Sequence, residues 1–121
     1  MIPKFRAWLK DREKIVDVVE IDYRCNCIIW INVKYTEIED FKDIELLQST
    51  GVKVMNGKEI FEGDVVKTNH GERGRHIGVV TFRPGEFISK GVKQYEGCIE
   101  KLHGEFEIIG NKYEHPHLLE E

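Results

Sequence analysis

Three glycine-centred breaks crowd into the stretch from Leu46 to Lys67: Thr50-Gly51, Asn56-Gly57 and Gly63-Asp64. A chain that reverses this often cannot build a long helix there, and the segments between breaks have the length of short strands. Asn and Gly both tolerate positive φ, so Asn56-Gly57 predicts a type I′ hairpin turn. Gly63-Asp64 predicts another reversal, followed by a strand over Val65 to Thr68. The same punctuation continues downstream. Asn69 to Arg75 (NHGERGR) reads as a polar, glycine-containing loop. Arg83-Pro84-Gly85-Glu86 reads as a turn in which proline presets φ and glycine supplies positive φ. Gly91, Gly97 and Gly110-Asn111 divide what remains.

Apolar residues fill the intervals. Phe5, Ala7 and Leu9 share one face of a strand over Lys4 to Leu9, with Arg6 and Trp8 on the other. The charged run KDREK turns the chain. Lys14 to Asp22 then reads as a single β-branched strand, and Cys27 to Val33 (CIIWINV) as a buried one. Phe41, Ile44 and Leu47 stand three apart, which fits a short helical face; irregular chain running into a strand fits equally. His76 to Phe82, Glu86 to Lys90, Val92 to Leu102 and Phe106 to Ile109 supply further strands. Pro116 opens a final helical turn, where its missing N–H costs nothing. The expected fold is mainly β: a small bent-sheet or SH3-like barrel from Gly63 onward, with an N-terminal β extension and short helical turns. At 121 residues the chain reads as one domain, 1–121, subdivided into N-terminal strands 1–45 and a β core 46–121.

Composition narrows the function classes. The formal net charge of −4 counts against a dedicated nucleic-acid binder, whose affinity rests on Lys and Arg meeting phosphates. No apolar run approaches the roughly 18 residues of a membrane span, and the N-terminus lacks the features of a signal peptide. The odd count of three cysteines, Cys25, Cys27 and Cys98, predicts reduced thiols and a cytoplasmic location.

Three blocks carry a family resemblance: Pro3 to Trp8 (PKFRAW), Leu46 to Lys67, and Phe106 to Leu119 (FEIIGNKYEHPHLL). In the middle block Gln48-x-Thr50-Gly51 precedes Asn56-Gly57-Lys58 and then Glu62-Gly63-Asp64; the last block contributes Gly110, Asn111 and Pro116. On these residues the chain resembles the YopX family of bacteriophages and prophages. It departs from that pattern at Ser49, where an aromatic is usual, at Val54-Met55, where Asp-Lys is usual, and at His115, where Asn is usual. His caps a helix more weakly than Asn, so the final turn is expected to fray. The resemblance implies a phage-derived cytosolic protein of mainly-β fold. It implies no established activity and no catalytic residues. The motif consists of turn and core residue types, which fits a fold signature better than an active site.

The chemistry-bearing residues fall into four groups. Cys25-x-Cys27 could be half of a metal site, completed by Cys98 or His115-x-His117, but structural zinc usually wants four ligands at wider spacing. The favoured reading is two small apolar side chains in or near a strand, with no metal and no cofactor. His70, Arg73, Arg75 and His76 put positive charge on the glycine loop and are the candidate anion or nucleic-acid contacts; a polar hairpin tip is the bland alternative. Glu59, Glu62 and Asp64 read as turn and surface residues, because no nucleophile or base partner accompanies them. Among the aromatics Trp30, Phe61 and Phe82 read as core, while Trp8 is the candidate interface residue, since interfaces favour Trp. Together these readings predict a non-catalytic accessory protein that binds an unknown protein partner or its own copies, with no membrane association. A nucleic-acid-binding module using residues 70–76 is the alternative.

Overall fold

The computed structural model describes residues 4–120; Pro3, which opens the first block of resemblance, lies outside them. The fold is mainly β, with twelve strands and only short 3₁₀ turns. Among the described residues no helix is long and apolar enough to cross a membrane. The chain divides into two compact units, the first ending at Gln48 and the second beginning at Ser49.

In the first unit β1 (Phe5–Leu9) lies between β2 (Lys14–Asp17) and the opening half of β6 (Ile44–Lys53), antiparallel to both. Ala7 is paired with Val16 on one side and Leu46 on the other. A second sheet has the order β3 (Glu20–Asp22), β4 (Cys27–Asn32), β5 (Tyr35–Asp40). The core consists of Ala7, Leu9, Val16, Ile28, Trp30 and Ile44, with Val18, Ile21, Phe41 and Leu46 packed against it. Alternation decides which side chains enter: on β4, Ile28 and Trp30 point inward, whereas Ile31 is 54% exposed. Arg12 and Lys14 lie over the Trp30 ring, the Lys14 ammonium 4.7 Å from its centroid, a cation–π arrangement that covers the indole.

Several expectations are corrected here. Lys14 to Asp22 is not one strand: β2 pairs with β1, and after Val18-Val19 the chain enters the other sheet as β3. Cys27 to Val33 is not buried throughout: Ile31 is exposed, and Val33 forms the hairpin tip at φ 61. Residues 41–47 form no helical face; a 3₁₀ turn over Phe41–Asp43 leads directly into β6. Tyr35–Asp40, to which the sequence reading assigned no strand, is β5.

The second unit is organised by the sheet order β11 (Ile99–Lys101), β10 (Glu86–Gly91), β9 (Gly74–Arg83), β8 (Asp64–Gly71), β12 (Glu107–Asn111). The pairing shifts between Thr68 and Gly71 and again between Ile108 and Gly110, and such bulges bend a sheet. Val54, Ile60, Val66, Val80 and Phe106 form the core. The end of β6 pairs with β7 (Glu59–Phe61).

The Asn56-Gly57 turn differs from the expected type. Gly57 has φ 88, but Asn56 is not in the positive-φ region, which type I′ requires. The Gly57 N–H donates to Val54 O and the Val54 N–H to Lys58 O, both 2.9 Å. This is the three-residue loop in which a left-handed glycine follows an ordinary turn, and Asn56 Oδ1 accepts from the Lys58 N–H. The expected loop over 69–75 is strand except for Glu72-Arg73. Lys93–Tyr95 is a 3₁₀ turn rather than strand. The last turn does form, over Pro116–Leu119. His115 makes no side-chain cap there, but its Nδ1 accepts from the Asn111 N–H.

Gly57→Val should destabilise the chain. Nothing lies within 4 Å of a Cβ at this position, so the cost is backbone strain at φ 88, about 1–3 kcal/mol. Gly57→Asn should cost less, because Asn enters the left-handed region more readily. Denaturant midpoints of the two variants check this; equal midpoints for parent and Gly57→Val would contradict the loop geometry.

Candidate functional site

The family-motif side chains are occupied by local backbone. Thr50 Oγ1 donates to Ile60 O at 2.8 Å and accepts from the Val52 N–H. The Asp64 carboxylate is buried and accepts from the Phe61 N–H at 2.8 Å. Asn111 Oδ1 accepts from the Tyr113 and Glu114 N–H groups, while its Nδ2 donates to Glu114. Gly110 is packed so closely that a Cβ would stand 2.7 Å from Leu118 Cδ1. Gln48 and Glu62 are half-buried, and Lys58 is exposed. Thr50, Asp64 and Asn111 thus bond to backbone, and Asp64 is buried rather than at the surface as expected.

His70, Arg73 and Arg75 are exposed around the β8–β9 hairpin tip. Two carboxylates share that tip: Glu72 stands in the turn, and its N–H donates to Glu100 Oε1 at 2.9 Å. His76 is a correction. It is 2% exposed, and its Nε2 lies 2.9 Å from Ser89 Oγ, which is also buried. The β8–β9 register pairs His76 with Thr68 and turns the ring inward toward Phe106 and Tyr95. It is closed to a ligand, and the His–Ser pair is closed to a substrate.

Trp8 is half-buried, between Ile15 and Glu45 on the neighbouring strands. Phe82, expected in the core, is 54% exposed on β9, and a further group of exposed apolar residues lies on the β3-β4-β5 sheet. Ile31 (54%) and Ile38 (63%) face outward, Ile38 directly opposite the half-buried Ile29, with Val19 (61%) nearby. Neither β5 nor these residues was singled out in the sequence; the alternating exposure of CIIWINV was the available signal.

A second arrangement was visible only in part. The Asp22 carboxylate and the Cys25 and Cys27 thiols place one ligand atom each within 4.8 Å of one another. Asp22 Oδ1 accepts from the Arg24 and Cys25 N–H groups at 2.8 and 3.2 Å, which fixes the carboxylate. Asn26, at φ 53, folds the chain back into β4. Burial pushes the Cys27 thiol pKa up, and the nearby Cys25 and Asp22 act in the same direction.

Burial pushes the His76 pKa below its ordinary 6.5, with Glu100 opposing. The unfolded chain therefore binds more protons than the folded one between the depressed value and 6.5. Stability should fall as the pH drops below 6.5, and His76 should add no slope above it. Denaturation midpoints against pH, with an NMR titration of the ring, check this; an ordinary imidazole titration would contradict it.

Compared with solved structures, the chain is similar to the crystal structure of protein EF1440 from Enterococcus faecalis. The TM-score is 0.65, with 28% sequence identity over 99% of each chain. No curated protein is significantly similar to the chain. The family described as YopX protein matches residues 4–120. That match takes in nearly the whole chain, spanning the three blocks of resemblance but for Pro3, so the chain belongs to the YopX family.

Proposed function

We propose that this is a non-catalytic phage or prophage accessory protein that acts in the cytoplasm by binding protein, its own copies included, through the outward face of β3-β4-β5. The observation that carries this reading is the exposure of Ile31 and Ile38 on one sheet whose last strand, β5, is an edge, with the exposed Val19 just before β3 bonded through its N–H to Ile29 O. An apolar face beside an open edge offers both side-chain burial and backbone pairing to a partner strand. Two copies meeting through such a face make a self-complementary contact. The phage setting is supported by family membership, and the cytoplasmic one by the odd cysteine count. The SH3-like reading of the second unit is supported by its strand order, a meander from β8 to β11 whose first strand is flanked by the returning β12.

The nucleic-acid alternative retains His70, Arg73 and Arg75 and loses His76. It is disfavoured by Glu72 and Glu100 at the same tip and by the net charge of −4.

Replacing Ile31 and Ile38 together by Lys should weaken association about tenfold or more, as loss of a buried apolar anchor does. Sedimentation over a concentration series reads self-association, and pull-down from nuclease-treated host lysate reads other partners. A monomer at every concentration that also retains no nuclease-resistant partner would refute the proposal. Salt-sensitive binding to nucleic acid, lost on Arg73→Ala with Arg75→Ala, would favour the alternative.

A further inference from the structure

We propose that Asp22, Cys25 and Cys27 form a binding site for one thiophilic divalent cation of the zinc class. One-residue spacing of two cysteines does not by itself make such a site. Two residues that far apart in one strand share a face but stay separated along it. Here Cys25 precedes β4, in the turn that Asn26 reverses, so its thiol returns to that of Cys27. Asp22 supplies the third donor from the end of β3, its register partner being Cys27 itself.

The site is held before any ion arrives. Two backbone N–H groups engage Asp22 Oδ1, and orienting bonds of this kind tune metal ligands. The Phe41 N–H donates to Asn26 O at 2.8 Å, and the Tyr23 ring meets Phe41 edge-on, so both ends of the turn are pinned. Zinc–sulfur bonds of about 2.3 Å at a tetrahedral angle bring two thiolates to about 3.8 Å. The observed spread of up to 4.8 Å closes to that by rotation of Cys25, which is exposed.

Donor chemistry selects the ion. Two thiolates exclude magnesium and calcium, which take oxygen ligands, and the carboxylate suits zinc better than copper(I). Asp40, paired with Cys27 across β4–β5, lies on the same face and offers a carboxylate for the fourth position. Binding displaces the two thiol protons to solvent, so affinity rises with pH.

The test is a cobalt(II) titration of the full chain, kept reduced with a phosphine, followed by displacement with zinc(II). One equivalent should produce the thiolate-to-cobalt charge-transfer absorption and the visible bands of a tetrahedral centre, both removed by zinc. Cys25→Ala should weaken binding at least tenfold, as even loss of an orienting partner can. Asp22→Asn, which keeps an oxygen for the two N–H bonds, should also weaken it, while Cys98→Ala should not. Zinc should raise the melting temperature of the parent and leave Cys25→Ala unchanged. Absence of a stoichiometric charge-transfer band, or undiminished binding by a folded Cys25→Ala, would overturn the assignment.

Discussion

The backbone N–H and carbonyl of Gly63 tie together three strands of the second unit. Its N–H donates to Val80 O in β9, and its carbonyl accepts from the Lys112 N–H just beyond β12, each at 2.9 Å. Both bonds require the left-handed backbone at φ 89 that glycine adopts without strain. One residue on, the Asp64 side chain closes the same turn on Phe61. The start of β8 is thereby fixed against its two neighbours, and the register that seats Val65 and Val66 in the interior follows from it.

That arrangement explains why the family pattern is so readable and so silent about chemistry. Thr50, Asn56, Asp64 and Asn111 each spend a side-chain oxygen on nearby backbone. At His115, one of the departures from the family pattern, Nδ1 accepts from the Asn111 N–H. The exposed isoleucines and the Asp22–Cys25–Cys27 group lie outside the motif, in the first unit.

Legibility followed the range of the interactions. Glycine demands are local, so Gly57, Gly63 and Gly85 could be placed from sequence, and each has positive φ. The type I′ expectation at Asn56 fails, because Asn populates both signs of φ and the Val54–Lys58 pairing decides between them. The break at Val18-Val19 is invisible to alternation, since an apolar strand can change partners without changing composition. β5 carries acidic residues at 37, 39 and 40 and looks like loop until Ile38 is found opposite Ile29. His76 sits at the end of a polar run, and only the β8–β9 register turns it inward. The proposed metal site was half legible: Cys25 and Cys27 stand together in the sequence, but Asp22 becomes their neighbour only through the β3–β4 pairing.

Both tryptophans, Trp8 and Trp30, fall before the division at Gln48. Indole emission is therefore an optical label carried by one unit alone. Trp30, under the Arg12 and Lys14 cations, senses the first core directly, while the Val66–Val80–Phe106 core contains no indole. An unfolding curve followed by fluorescence tracks the unit that bears the candidate surfaces, and one followed by backbone circular dichroism tracks both. The separation between the two curves measures how far the units melt as one.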